Sequence, residues 1–111
     1  MIKLADRLEG LLAAGPDTAL IRFSLGNAYL TDDPAKAVVH LMRAVELDPK
    51  YSAAWKILGK ALNQTGDESA AIDAYRSGIE IAEANGDKQA AKEMQVFLKR
   101  LLRSAATKNA D

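Results

Sequence analysis

The 111 residues contain no cysteine, one histidine, one tryptophan, three tyrosines and two phenylalanines. Without cysteine there is neither a disulfide framework nor a thiolate nucleophile, and a zinc site would lack its commonest soft ligand. Net charge is lacking too. Fifteen basic residues balance fifteen acidic ones, so no global field draws the chain to nucleic acid or to an anionic membrane. Long hydrophobic runs are absent: the opening MIKLADRLEGLL carries Lys3, Asp6, Arg7 and Glu9 inside its apolar pattern, which breaks a signal-peptide core, and nothing elsewhere approaches a membrane span. A soluble, cytoplasmic chain of one cooperative unit is expected, with no cofactor, no nucleic-acid partner and no membrane association.

What is plentiful is aliphatic side chains spaced three and four residues apart, with no sustained alternation of period two, so the chain reads as all-α. Breaks recur regularly at Gly15-Pro16-Asp17, Asp32-Asp33-Pro34, Asp48-Pro49, Gly66-Asp67 and Asn85-Gly86-Asp87. Each group supplies a helix stop and an Asp suited to cap the next helix, and Pro34 fits a first helical position, where its missing N–H is no loss. Five breaks predict about six helices, near 2–14, 18–30, 34–47, 52–64, 68–84 and 88–104, with 105–111 as a frayed tail.

The helices are not independent. Gly26 and Gly59 lie 33 residues apart, each after a leucine, while Ala37 and Ala71, Leu41 and Tyr75, and Ala44 and Gly78 are each 34 apart. Leu4, Leu8, Leu11 and Pro16 repeat the spacing of Ala37, Leu41, Ala44 and Pro49, and Ala91, Met94 and Leu98 repeat that of Trp55, Leu58 and Leu62. One domain over 1–104 is expected: a half repeat at 2–16, full repeats at 18–51 and 52–85, and a capping helix at 87–104.

Trp55, Leu58, Gly59 and Leu62, then Ala71 and Tyr75, preceded by Leu25, Gly26, Tyr29, Ala37, Leu41 and Pro49, resemble the pattern of the tetratricopeptide repeat. The resemblance implies an α-α superhelix, a solenoid of helical hairpins. The small residues Gly26, Gly59, Ala37, Ala44, Ala71 and Gly78 are expected to receive knobs such as Tyr29, Leu41, Trp55 and Tyr75, which would answer why glycines of poor helix propensity stand inside helices.

Catalytic chemistry finds little support. His40 has no second histidine or cysteine to join it, and is read as a surface or structural residue. The pairs Asp32-Asp33 and Asp67-Glu68 sit at helix starts, where unpaired N–H groups favour carboxylates without an acid–base role. No phosphate-cradling, zinc-protease or calcium-loop spacing occurs, so no enzyme and no metal site is expected.

The resemblance instead implies a protein-interaction module, an adaptor or scaffold holding a partner's peptide on a concave face lined by the first helix of each hairpin. The repeat offset sets Phe23, Lys56 and Lys92 in one row, Asn27, Lys60 and Val96 in the next, and Leu30, Asn63 and Lys99 in a third. Phe23, Asn27, Leu30, Lys56, Lys60, Asn63 and Lys92 are therefore the candidate peptide-binding residues, and the three lysines suit an acidic peptide. Some tetratricopeptide proteins grip a chaperone's C-terminal carboxylate in a clamp of lysines and asparagines. Asn27 matches one member, but Phe23 stands for a lysine, Ile57 for an asparagine, and Gln89 and Glu93 for the basic pair, so that mechanism is not expected here. The alternative function is structural: Leu4, Leu8, Leu11 and Leu12 on the half repeat would leave an apolar N-terminal edge through which the chain forms homo-oligomers.

Overall fold

The computed structural model describes residues 3–108. Six helices account for nearly all of them: α1 Leu4–Ala14, α2 Ala19–Tyr29, α3 Pro34–Leu47, α4 Ser52–Gln64, α5 Glu68–Asn85 and α6 Lys88–Lys108. The sequence places these elements because its breaks work locally. Asp33, Asp67 and Asp87 accept hydrogen bonds from the amides of Lys36, Ala70 and Ala90, each at 3.2 Å, and so satisfy donors that the first turn leaves unpaired. Gly86 ends α5 at φ 77°, in the left-handed region that favours glycine.

Two expectations of capping and fraying are corrected. Thr18, not Asp17, caps α2, its hydroxyl accepting from the Ile21 amide at 3.2 Å. Asp48 likewise leaves α4 uncapped by a side chain, because Tyr51 occupies the N-cap position. At the other end, α6 continues through Ala105 to Lys108, where fraying was expected. Ala-rich sequence there sustains the helix, and Lys108 reaches back to Glu68. The expected tail beyond it, 109–111, and Met1 and Ile2 lie outside the described residues.

α2 packs on α3 and α4 on α5 as two hairpins, α1 covers α2, α6 covers α5, and α3 joins the hairpins by packing on α4. Stacking in one direction makes an object of 50 × 32 × 21 Å. The predicted interlocking is present. A Cβ at Gly26 would stand 2.3 Å from Cγ of Leu41, and one at Gly59 would stand 2.4 Å from the ring of Tyr75, so each glycine is a socket occupied by a buried side chain of the facing helix. At Gly78 the socket is shared by Met94 of α6 and the Cβ of Trp55. Ala37, Ala44 and Ala71 are wholly buried, as small residues at close helix contacts must be.

Trp55 and Tyr29 are less deep than expected of knobs. The Trp55 indole is half-buried and donates from Nε1 to the Pro49 carbonyl at 2.8 Å, an arrangement that seats the polar end of the ring where water still reaches. Tyr29 stacks on His40 with centroids 5.7 Å apart instead of filling a small-residue socket.

Candidate functional site

α2, α4 and α6 are the alternate helices of the stack, and their aligned faces form the groove toward which the candidate residues were expected to point. At its N-terminal end the Phe23 ring lies 4.9 Å from that of Tyr51, which half-buries it. Asn27, one turn on, is exposed. Farther along, the groove deepens into a cavity of about 490 Å³ that Leu30, Lys60 and Asn63 line together with Tyr75, Phe97, Arg100 and Ser104.

The electrostatics of this cavity depend on Phe97. Its ring stacks on Tyr75 at 5.7 Å, while Lys60 Nζ lies 5.1 Å and the Arg100 guanidinium carbon 6.0 Å from its centroid. Cations are attracted to the negative face of an aromatic ring, so Phe97 draws both positive groups to the same cavity. Among the described residues neither Lys60 nor Arg100 joins an ion pair. The one carboxylate lining the cavity, Glu68, is engaged by Lys108. Burial pushes the Tyr75 phenol up to about 12, so it stays protonated at the cavity wall.

Of the seven candidate residues, then, the structure brings Leu30, Lys60 and Asn63 to one cavity and leaves the others outside it. Lys56 is not a free cation: its Nζ bonds Glu93 Oε2 at 2.8 Å across the seam between α4 and α6. That bond first, and one from Gln89 at 3.2 Å second, hold the Glu93 carboxyl below its ordinary range. Lys92 does not join Lys56 and Lys60 at all, for it lines a small hollow with Glu83, Lys88 and Gln95 beside α5. The physical reason is rotation. The residue of α6 that meets Lys56 is Glu93, one position and about 100° around the helix from Lys92, which turns Lys92 out of the row.

Phe97, Arg100 and Ser104 line the cavity but are not among the candidates that the repeat offset picks out. Their spacing of three and four was legible as one face of α6, but the same face holds Met94 and Leu101, whose burial marks it as the cap of α5. Only the cavity separates its wet end from its dry one.

A second polar cluster joins α1, α2 and α3. Asp17 accepts from Arg22 at 2.7 and 3.0 Å and from Arg43 at 3.2 Å, and these bonds, that of Arg22 foremost, hold its carboxyl down at about 2. His40 is buried, its Nδ1 facing Arg22 Nη1 at 3.1 Å and its Nε2 facing Glu9 Oε1 at 3.5 Å. Since arginine only donates, Nδ1 is the acceptor and the proton sits on Nε2. Desolvation, aided by Arg22 and opposed by Glu9, keeps this imidazole below its ordinary pKa. The cluster is structural, a buried histidine with every polar partner supplied. Among the described residues no group of three acidic or histidine side chains is arranged to hold a metal, and no helix is long and apolar enough to cross a membrane.

Known proteins share this architecture. A tetratricopeptide repeat family model matches residues 31–88. The chain is 51% identical over 102 residues to a TPR repeat-containing protein of Pseudomonas aeruginosa, covering 91% of this chain and 97% of that one. It is 41% identical over 104 residues to the heat-shock protein cognate co-chaperone sgt12 of Aspergillus fumigatus, covering 93% of this chain but 30% of the co-chaperone. A solution structure of a Bordetella parapertussis protein superposes with a TM-score of 0.86 at 44% identity, over 99% of this chain and 96% of that one. The crystal structure of the Sgt2 TPR domain from Aspergillus fumigatus superposes at 0.81 with 30% identity, over 96% and 69%. The repeat period, the glycine sockets filled from the facing helix and these likenesses agree: the chain belongs to the tetratricopeptide repeat family.

Proposed function

We propose that the protein is a non-catalytic adaptor that holds an acidic segment of a partner protein in the groove of α2, α4 and α6, with a carboxylate seated between Lys60 and Arg100. The observation that carries this reading is the pair of cations gathered at Phe97 without an acidic partner of their own, in a cavity that also offers Asn63 and Ser104 as hydrogen-bonding groups and Leu30 and Tyr75 as apolar walls. Arg100 is exposed and Lys60 half-buried, so both stay within reach of a ligand carboxylate, which they would hold by charge-assisted hydrogen bonds. Asn27, Phe23 and Leu30 lie along the path of a peptide extending toward α2. Lys56 and Lys92 drop out of the binding set, the first because Glu93 neutralises it.

Tetratricopeptide repeats are generally protein-interaction modules, and the likeness to a co-chaperone supports a protein as the partner. Glu93 stands at a basic position of the carboxylate clamp and is already paired with Lys56, which favours anchoring at Lys60 and Arg100 instead. Labelled peptides bearing two glutamates beside a leucine, compared with their glutamine counterparts, test this by fluorescence anisotropy. The glutamate peptides should bind more tightly, weaken as salt rises, and lose at least about tenfold in affinity to Lys60→Glu with Arg100→Glu while helix content is unchanged. Equal binding by the double variant would remove the groove as the site.

A second reading, self-association at the N-terminal edge, has its own support: Leu4, Leu11 and Leu20 are 63, 58 and 64% exposed.

A further inference from the structure

Two apolar surfaces are left unused by the groove, and the charges beside them are opposite in sign. The first is the outer stripe of α1. Leu4 and Leu11, seven residues apart, share one line along the helix, with Arg7 between them and Lys3 beside it, while Leu8 and Leu12 turn inward and are half-buried. The second lies between α3 and α5, whose backbones do not approach one another. The gap is a cleft of about 390 Å³ floored by Trp55 and Leu58 and walled by Val38, Met42 and Ala74. Met42 is 45% exposed at its lip. Asp67 and Asp73 also line it, and among the described residues neither has a cationic partner.

We propose that the α1 stripe of one copy docks in the α3–α5 cleft of a second copy, with Leu4 and Leu11 over Trp55 and Met42 and with Lys3 and Arg7 toward Asp67 and Asp73. Charge favours this pairing over two other apolar surfaces, the outer face of α6 and α1 itself. The exposed face of α6 carries Val96 and Leu102 but is flanked by Lys92, Lys99 and Arg103, which repel Lys3 and Arg7. Antiparallel packing of α1 on another α1 sets Arg7 against Arg7, since that residue lies at the middle of the leucine stripe. The cleft offers apolar depth together with two carboxylates that have no cationic partner among the described residues.

The contact is heterologous, using a different surface on each copy, so it leaves a free stripe and a free cleft at the ends and copies add in series. It rests on the self-association reading, whose N-terminal edge it pairs with a defined surface, and it leaves Lys60, Arg100 and Phe97 open to a peptide.

Sedimentation velocity on the full chain tests it. The wild type should gain mass with concentration and pass beyond a dimer. Leu11→Asp, which spoils the stripe, and Met42→Arg, which spoils the cleft, should each be monomeric, since both positions are exposed and tolerate charge without unfolding. Mixed in equal amounts, the two variants should form a one-to-one pair and nothing larger, because only the intact stripe of one and the intact cleft of the other remain. Arg7→Glu and Asp73→Lys should each weaken association, and the double variant should restore it. A wild type that stays monomeric at millimolar concentration overturns both self-association and this pairing. A wild type that associates while the mixed variants do not pair overturns the pairing alone.

Discussion

Three glycines at the residue scale show why a poor helix former is retained inside a helix. At Gly59 the missing Cβ leaves room for the buried ring of Tyr75, and the same holds for Gly26 beneath Leu41. Gly10, in contrast, has no atom within 4 Å of where its Cβ would be. Gly59→Ala should therefore destabilise the protein by about 1–3 kcal/mol through overpacking, whereas Gly10→Ala should stabilise it by about 0.5–1 kcal/mol by reducing the freedom of the unfolded chain. Urea denaturation of the two variants checks both signs, and equal midpoints would contradict the socket. Gly59 was readable from its place after Leu58 in the repeat. The indifference of Gly10 was not, because it follows from α1 being the outermost helix.

Among the elements, α1, α2 and α3 are joined by charge as much as by apolar contact. Arg22 of α2 and Arg43 of α3 share Asp17 in the preceding connection, and the buried His40 of α3 faces Glu9 of α1. Asp17 has its carboxyl lowered from 3.8 to about 2, so the stability it contributes is complete above about pH 4 and is lost as pH falls toward 2. His40 is lowered from 6.5, so the folded chain refuses a proton that the unfolded one accepts, and stability declines as pH falls below 6.5. The urea midpoint should thus fall in two stages on acidification. Asp17→Asn should make the stage between pH 4 and 2 shallower and leave the earlier one in place. An unchanged lower stage would show that the two arginines do not act through Asp17. The sequence suggested an Asp at each helix start, and three of these do cap. Asp17 does not, because two guanidinium groups 5 and 26 residues away converge on it, and Thr18 is free to cap in its stead.

For the whole molecule, stacking in one direction makes stability uneven from end to end. α4 packs on four other helices and buries six residues, among them Leu58 and Leu62, whereas α1 packs its backbone on α2 alone, reaches α3 only through Glu9 and His40, and buries none. Local opening is easiest where least apolar area is lost, so α1 should exchange its amide hydrogens first and α4 last. Hydrogen exchange read by mass spectrometry in dilute solution checks this order, and protection of α1 equal to that of α4 would contradict it. If copies join through α1, its protection should rise with protein concentration while that of α6 stays constant.

The helices, their number and their pairing into hairpins were legible in the sequence because each depends on short-range physics: the period of three and four, an Asp or Pro at a helix start, and small and large residues that each recur in kind about 34 positions on. That much the sequence determined by itself. Which charges stand free in the groove was decided by the tertiary structure. Lys56, Lys60 and Lys92 look alike in a repeat alignment, yet one is neutralised by Glu93, one stands over Phe97 with Arg100, and one is turned beside α5. A repeat offset gives the position of a residue along its helix, but each residue turns the helix by about 100° and long side chains reach across seams, so the partner of a lysine depends on how two helices are rotated against each other.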